Sequence, residues 1–162
     1  MNKRTVRIIA ACLSVLMLAG VLAACGEPAV PKLTVYIEID GVVTEDDKDI
    51  MILNRNFVVE EGTTAFDAVA RLCEERKATY EVDMDGMFMS FSNETKKLTP
   101  PAQKALSNGN VIVYNFVWSL NGVLKSATQA NPDGVAMKDY VLKDGDKVVI
   151  YVYGEEVTPS AS

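Results

Sequence analysis

Apolar and polar residues alternate along Leu33-Thr34-Val35-Tyr36-Ile37-Glu38-Ile39-Asp40, with Tyr36 the one departure. A period of two marks a half-buried strand, because successive side chains point to opposite sheet faces. Gly41 and an acidic turn, Glu45-Asp46-Asp47-Lys48-Asp49, follow, and a second strand is expected near 50–60. The period then changes. Phe66, Val69, Ala70 and Cys73 fall at i, i+3, i+4 and i+7, the spacing that gives a helix one buried stripe. Gly62-Thr63-Thr64 opens that helix, and Thr64 with Asp67 fits a capping box, with Asp in place of the better Glu. On this stripe Cys73 is a small core residue rather than a reactive thiol.

Beyond the helix the pattern returns to strands. Tyr80-Glu81-Val82-Asp83 begins one, Asp85-Gly86 signals a hairpin, and 87–92 returns. Thr99-Pro100-Pro101 starts a short helix or a loop, closed by Gly109. The longest strand is expected at 111–120, followed by Asn121-Gly122, the strongest hairpin signal in the chain. Val123-Leu124-Lys125 begins the return, Asn131-Pro132-Asp133-Gly134 is a loop, and Lys143-Asp144-Gly145-Asp146 turns into a last strand at 147–153. Strands, one helix and more strands predict an α+β domain.

The 111–120 strand is apolar on both faces. Ile112, Tyr114, Phe116, Trp118 and Leu120 share one, and Val111, Val113, Asn115, Val117 and Ser119 the other. One face should meet the helix. The other needs a second layer, a partner or a ligand, since one helix cannot cover two sheet faces. The aromatic face is therefore either core or a ligand platform.

The N-terminus decides which residues belong to the working protein. Lys3, Arg4 and Arg7 precede an uncharged apolar run from Ile8 to Ala24, the pattern of a secretory signal. Leu22-Ala23-Ala24-Cys25 looks like the lipobox of bacterial lipoproteins, which implies cleavage before Cys25 and lipid on its sulfur. The alternative is an uncleaved anchor helix; both leave the remaining chain outside the cytoplasm, beside a membrane. The expected organisation is a signal peptide at 1–24, a Pro-containing tether at 25–32, one domain at 33–154 and a flexible tail at 155–162. After cleavage, 13 basic residues face 22 acidic ones, a formal charge of −9. Such a surface repels phosphate backbones, so nucleic acid is not an expected partner. With Cys25 lipidated, Cys73 has no partner for an internal disulfide.

Candidate chemistry is sparse. The chain has no histidine, so no Ser-His, Cys-His or His-based metal site exists. No phosphate-cradling glycine loop or nucleophile elbow is present. The acidic run at 45–49 lacks the glycine and distal glutamate of an EF-hand loop and reads as a solvated turn. Met84, Met87 and Met89 read as packing residues in a core or at a ligand face. Carboxylates are plentiful, but no spacing selects an acid–base pair. The chain reads as a non-enzyme that requires no cofactor.

Four pieces recur together: Gly62-Thr63-Thr64-Ala65-Phe66-Asp67-Ala68-Val69, Gly86-Met87-Phe88-Met89, Leu120-Asn121-Gly122, and Tyr140-Val141-Leu142-Lys143-Asp144-Gly145-Asp146-Lys147. In this order the set resembles the transcobalamin-like C-terminal domain family of bacterial surface proteins. The resemblance implies a β-grasp-like mixed sheet crossed by one main helix. With the lipobox, it points to a lipid-anchored extracytoplasmic binding module for a corrinoid or similar flat cofactor; the aromatic 111–120 strand and its Asn-Gly turn make Tyr114, Phe116, Trp118, Asn121 and Gly122 the candidate ligand contacts. The competing expectation is a protein–protein adaptor or adhesion module of the cell surface. The helical-barrel domain that completes a corrinoid site in transcobalamin is missing from this chain. The sequence also departs from the family pattern in having Phe116 where a tryptophan is frequent, and Asn93-Glu94 where an Asn-Gly is frequent. Residues 94–110 read as an insertion.

Overall fold

The computed structural model describes residues 29–40 and 52–159. The chain divides into Met1–Pro31 and Lys32–Ser162. The segment expected as a signal peptide, Cys25, the first half of the expected tether (25–28) and the acidic run at 45–49 lie outside the described residues. Among the described residues, no helix is long and apolar enough to cross a membrane.

From Lys32 onward the chain forms a mixed sheet with one main helix. Strand β1 (Lys32–Ile39) pairs antiparallel with β2 (Leu53–Glu60). Helix α1 (Ala65–Glu75) follows, then β3 (Thr79–Val82), β4 (Phe88–Ser92) and β5 (Lys97–Leu98), which make a small antiparallel sheet. Strands β6 (Lys104–Ala105), β7 (Val111–Leu120), β8 (Val123–Leu124) and β9 (Lys147–Val157) return to the main sheet. Its order is β2-β1-β9-β7-β6, with β8 on the end of β7. First and last strands lie parallel at the centre, Tyr36 beside Lys147 through Ile39 beside Ile150. This is the α+β, β-grasp-like arrangement the pattern and the resemblance imply.

One boundary and one helix face differ from expectation. β9 is longer than β7 and runs to Val157, three residues into the segment expected as tail, because it pairs with β7 along that strand's whole length. The stretch after Pro101 takes the loop alternative rather than the helix, with the two-residue β6 within it and the expected turn at Gly109. The stripe of α1 is also rotated. Its buried residues are Ala65, Ala68, Val69, Leu72 and Cys73, while Phe66 is only partly buried. Small residues at 65 and 68 let the helix backbone approach the sheet, and Phe66 turns sideways to stack on Phe88, ring centroids 5.4 Å apart.

The capping reading holds in modified form. Thr64 Oγ1 accepts from the Asp67 N–H at 3.1 Å and donates to Asp67 Oδ2 at 2.8 Å. Asp is too short for the reciprocal reach of Glu, so the hydroxyl itself is held. At the other end Lys77 adopts a left-handed φ of 54°. There the Ala78 N–H reaches Cys73 O at 2.8 Å, and the Lys77 N–H reaches Glu74 O at 3.1 Å, the double bond pattern that terminates many helices.

The core lies on one face of the main sheet. Val35, Ile37 and Ile39 of β1, Val148 and Ile150 of β9, and Phe116, Trp118 and Leu120 of β7 are buried with the helix stripe. The small sheet closes the rest of that face through Phe88, Phe91 and Leu98. Phe91 meets Phe88 at 4.6 Å and stands edge-on to Phe116 at 5.2 Å. A buried side chain of this size contributes about 1.5–3 kcal/mol.

Candidate functional site

The helix and the small sheet cover the same face, and the aromatic side of β7 lies under them. Phe116 and Trp118 are therefore core residues, 6% and 3% exposed, and not the open stacking platform among the two alternatives. Trp118 is fixed at both ends. Its Nε1–H donates to Val135 O at 3.0 Å, and its ring lies edge-on to Tyr140 at 5.7 Å. Tyr114 is half-buried beside Gly154, where a Cβ would fall 2.8 Å from the tyrosine Cε1.

Asn121 and Gly122 form the expected tight turn, both with positive φ (51° and 82°). The Asn121 side chain, expected at a ligand rim, is instead a structural tie. Its Nδ2–H donates to Asp146 Oδ1 at 3.0 Å, and its Oδ1 accepts from the Lys147 N–H at 2.8 Å. Asp146 is 5% exposed, and its Oδ2 accepts from the Lys143 N–H at 2.9 Å and the Tyr140 hydroxyl at 3.4 Å. Burial, with the Asp146 charge and hydrogen bond added, pushes the Tyr140 hydroxyl above its ordinary value. The Asp-Gly-Asp piece of the sequence thus locks the β7–β8 turn, Tyr140 and Trp118 together.

What the structure offers a ligand lies beside these residues. A cleft of about 180 Å³ opens along β7 at Phe116, Val117 and Trp118. One wall is the β3–β4 turn, with Gly86, Met87 and Phe88; the other is contributed by Ser126, Ala127 and the stretch 134–138. Of the expected contacts, only Phe116 and Trp118 line it; Tyr114, Asn121 and Gly122 do not. Each wall is held by local hydrogen bonds. Asp83 Oδ1 accepts from the N–H of Asp85 (2.9 Å) and of Met87 (2.8 Å). In the second wall, the Lys125 N–H donates to Trp118 O at 2.9 Å, and Ser126 Oγ accepts from the Trp118 N–H at 2.8 Å. The Val135 N–H returns to Lys125 O at 2.7 Å, and Asn131 Nδ2–H donates to Ser126 O at 3.0 Å. Gly134 sits so close that a Cβ would fall 2.1 Å from the Ala127 nitrogen, a separation no side chain tolerates. Lys138 Nζ reaches Asp85 O at 3.4 Å and joins the walls.

The three methionines are all exposed rather than packed in a core: Met84 105%, Met87 49% and Met89 51%. Met87 lines the cleft, with Val135, 39% exposed, across from it. Sequence reasoning missed the cleft because its walls come from segments about 40 residues apart. The Asn131-Pro132-Asp133-Gly134 signal gave a loop but not the surface it packs on.

Burial pushes the Cys73 thiol up to about 12, away from the thiolate that reaction needs. Among the described residues, no group of three or more Cys, Asp or Glu side chains is placed to hold a metal ion. Compared with known protein families and with curated proteins, the chain matches none.

Proposed function

We propose that the protein is a lipid-anchored, extracytoplasmic binding module, without catalysis of its own, that receives an apolar group in the cleft beside β7. The observation that carries this reading is the cleft itself: about 180 Å³, walled by Phe116, Trp118, Phe88 and Met137, with Met87 exposed at its mouth. An apolar cavity of about 150 Å³ takes up benzene, so this one suits a single ring or one large side chain. Methionine is a soft, adaptable contact and recurs on surfaces that dock partners. These features favour a protein partner at the cell surface. The Leu-Ala-Ala-Cys sequence before the tether supports the anchor.

A corrinoid is the second reading. It is favoured by the sequence resemblance and by the exposed methionines along the β3–β4 hairpin, on which the edge of a flat macrocycle can rest. With no histidine in the chain, it would bind without an imidazole from this protein on cobalt. Trp118, the only tryptophan, serves as the reporter. Titrating the full chain in detergent micelles with benzyl alcohol should change Trp118 emission in a saturable way. Equilibrium dialysis against cobalamin tests the second reading. An unchanged emission removes the cleft as a site, and free passage of cobalamin removes the corrinoid.

A further inference from the structure

We propose that the occupant of the cleft is an extended segment of polypeptide that adds as a strand to an open stretch of β7 and seats one apolar side chain beside Phe116. This names the partner class for the cleft and rests on its being a binding site. β7 and β9 pair from Val111 to Leu120 with no break in register. In such a ladder, alternate residues send their peptide groups to opposite sides. Asn121, one residue further on, donates to Lys147 O on the β9 side, so the odd-numbered residues of β7 face β9. The even-numbered ones face away. Trp118 is taken on that side by Lys125 and Ser126, and Ile112 by β6. Between them stand Tyr114 and Phe116. Among the described residues, no hydrogen bond meets their N–H and C=O groups on that side.

The distance from Ile112 to Trp118 along the strand is about 20 Å, room for an added segment of about three or four residues between β6 and the 125–126 corner. A row of alternating donors and acceptors beside an apolar pocket is matched by an extended peptide. A macrocycle edge offers no such row. A residue opposite Phe116 on the added strand shares its face, and that is the side on which the cleft opens. Proteins otherwise cover or blunt a free edge of this kind.

The test pans the full chain in detergent micelles against a displayed library of linear heptapeptides, then measures residue-resolved amide exchange along β7. In the free protein, Tyr114 and Phe116 should exchange about tenfold or more faster than Asn115 and Val117, whose N–H groups are held by β9. An enriched peptide should slow both by about tenfold or more, and N-methylating its β7-facing amides should weaken it about tenfold, the worth of one hydrogen bond. Equal protection of all four amides in the free protein overturns the proposal. So does a bound peptide that leaves Tyr114 and Phe116 unchanged, or a library that yields no binder. If benzyl alcohol enters the cleft while no peptide pairs with β7, strand addition fails and the binding site stands. If neither binds, both fall.

Discussion

The two halves of β7 share one alternating pattern and meet different fates. From Phe116 to Leu120 every residue is buried, and from Val111 to Asn115 every residue is half-buried or exposed. Composition does not separate them; what surrounds them does. The C-terminal half is enclosed by the 125–135 loop, by Tyr140 and Asp146, and by the helix stripe. The N-terminal half has β9 on one side and only a two-residue β6 on the other. Enclosure makes Trp118 a structural anchor, and the cleft opens at the start of the enclosed half, along Phe116, Val117 and Trp118.

The sharpest way to break this comparison is Trp118→Ala. If the buried half is core, urea melts should show a loss of about 3–5 kcal/mol; a loss under about 0.5 kcal/mol, typical of surface positions, would place Trp118 on the surface. Asp146→Ala should follow, at about 1–3 kcal/mol, because it leaves the Lys143 N–H, Asn121 Nδ2 and the Tyr140 hydroxyl without their acceptor. Phe66→Ala should cost about 1–2 kcal/mol, less than full burial of a phenylalanine would give, because its ring stacks at the edge of the core rather than inside it.

Much of the fold was legible from local signals. The alternation of β1, the Thr64 start of α1, and the Asn121-Gly122 turn each depend on a few adjacent residues and stand where the sequence puts them. The helix stripe lies one position from expectation because Phe66, Val69, Ala70 and Cys73 share the i, i+3, i+4, i+7 spacing of the buried Ala65, Ala68, Val69 and Leu72, and spacing alone does not choose between the two sets. The face of β7 that becomes core was not legible. It depends on the β3–β5 sheet joining α1 on one side, a contact between distant segments. The cleft was hidden for the same reason, since Met87 and Gly134 acquire their roles only when the hairpin and the loop meet.

Cys73 gives a smaller, pH-dependent effect. Its thiol is raised from 9.0 to about 12 by burial, so the unfolded chain ionises it first. The stability it contributes is complete below about pH 9 and is lost as pH rises toward 12. At neutral pH a thiol reagent should leave Cys73 untouched in the folded chain and label it in urea, read by peptide mapping; labelling of Cys73 at the same rate in the folded protein would mean the helix stripe is open.

The smallest expected change in stability accompanies the most informative change in binding. Met87 is half exposed at the mouth of the cleft, and its structural hydrogen bond to Asp83 comes from its backbone N–H, so Met87→Asp should leave the melting midpoint nearly unchanged. A carboxylate there must be desolvated before an apolar group can enter. The account predicts that benzyl alcohol binding, read from Trp118 emission, weakens about tenfold or more in this variant, a loss of about 1.4 kcal/mol. Binding equal to that of the unaltered chain, with the fold intact, would contradict the assignment of function to the cleft.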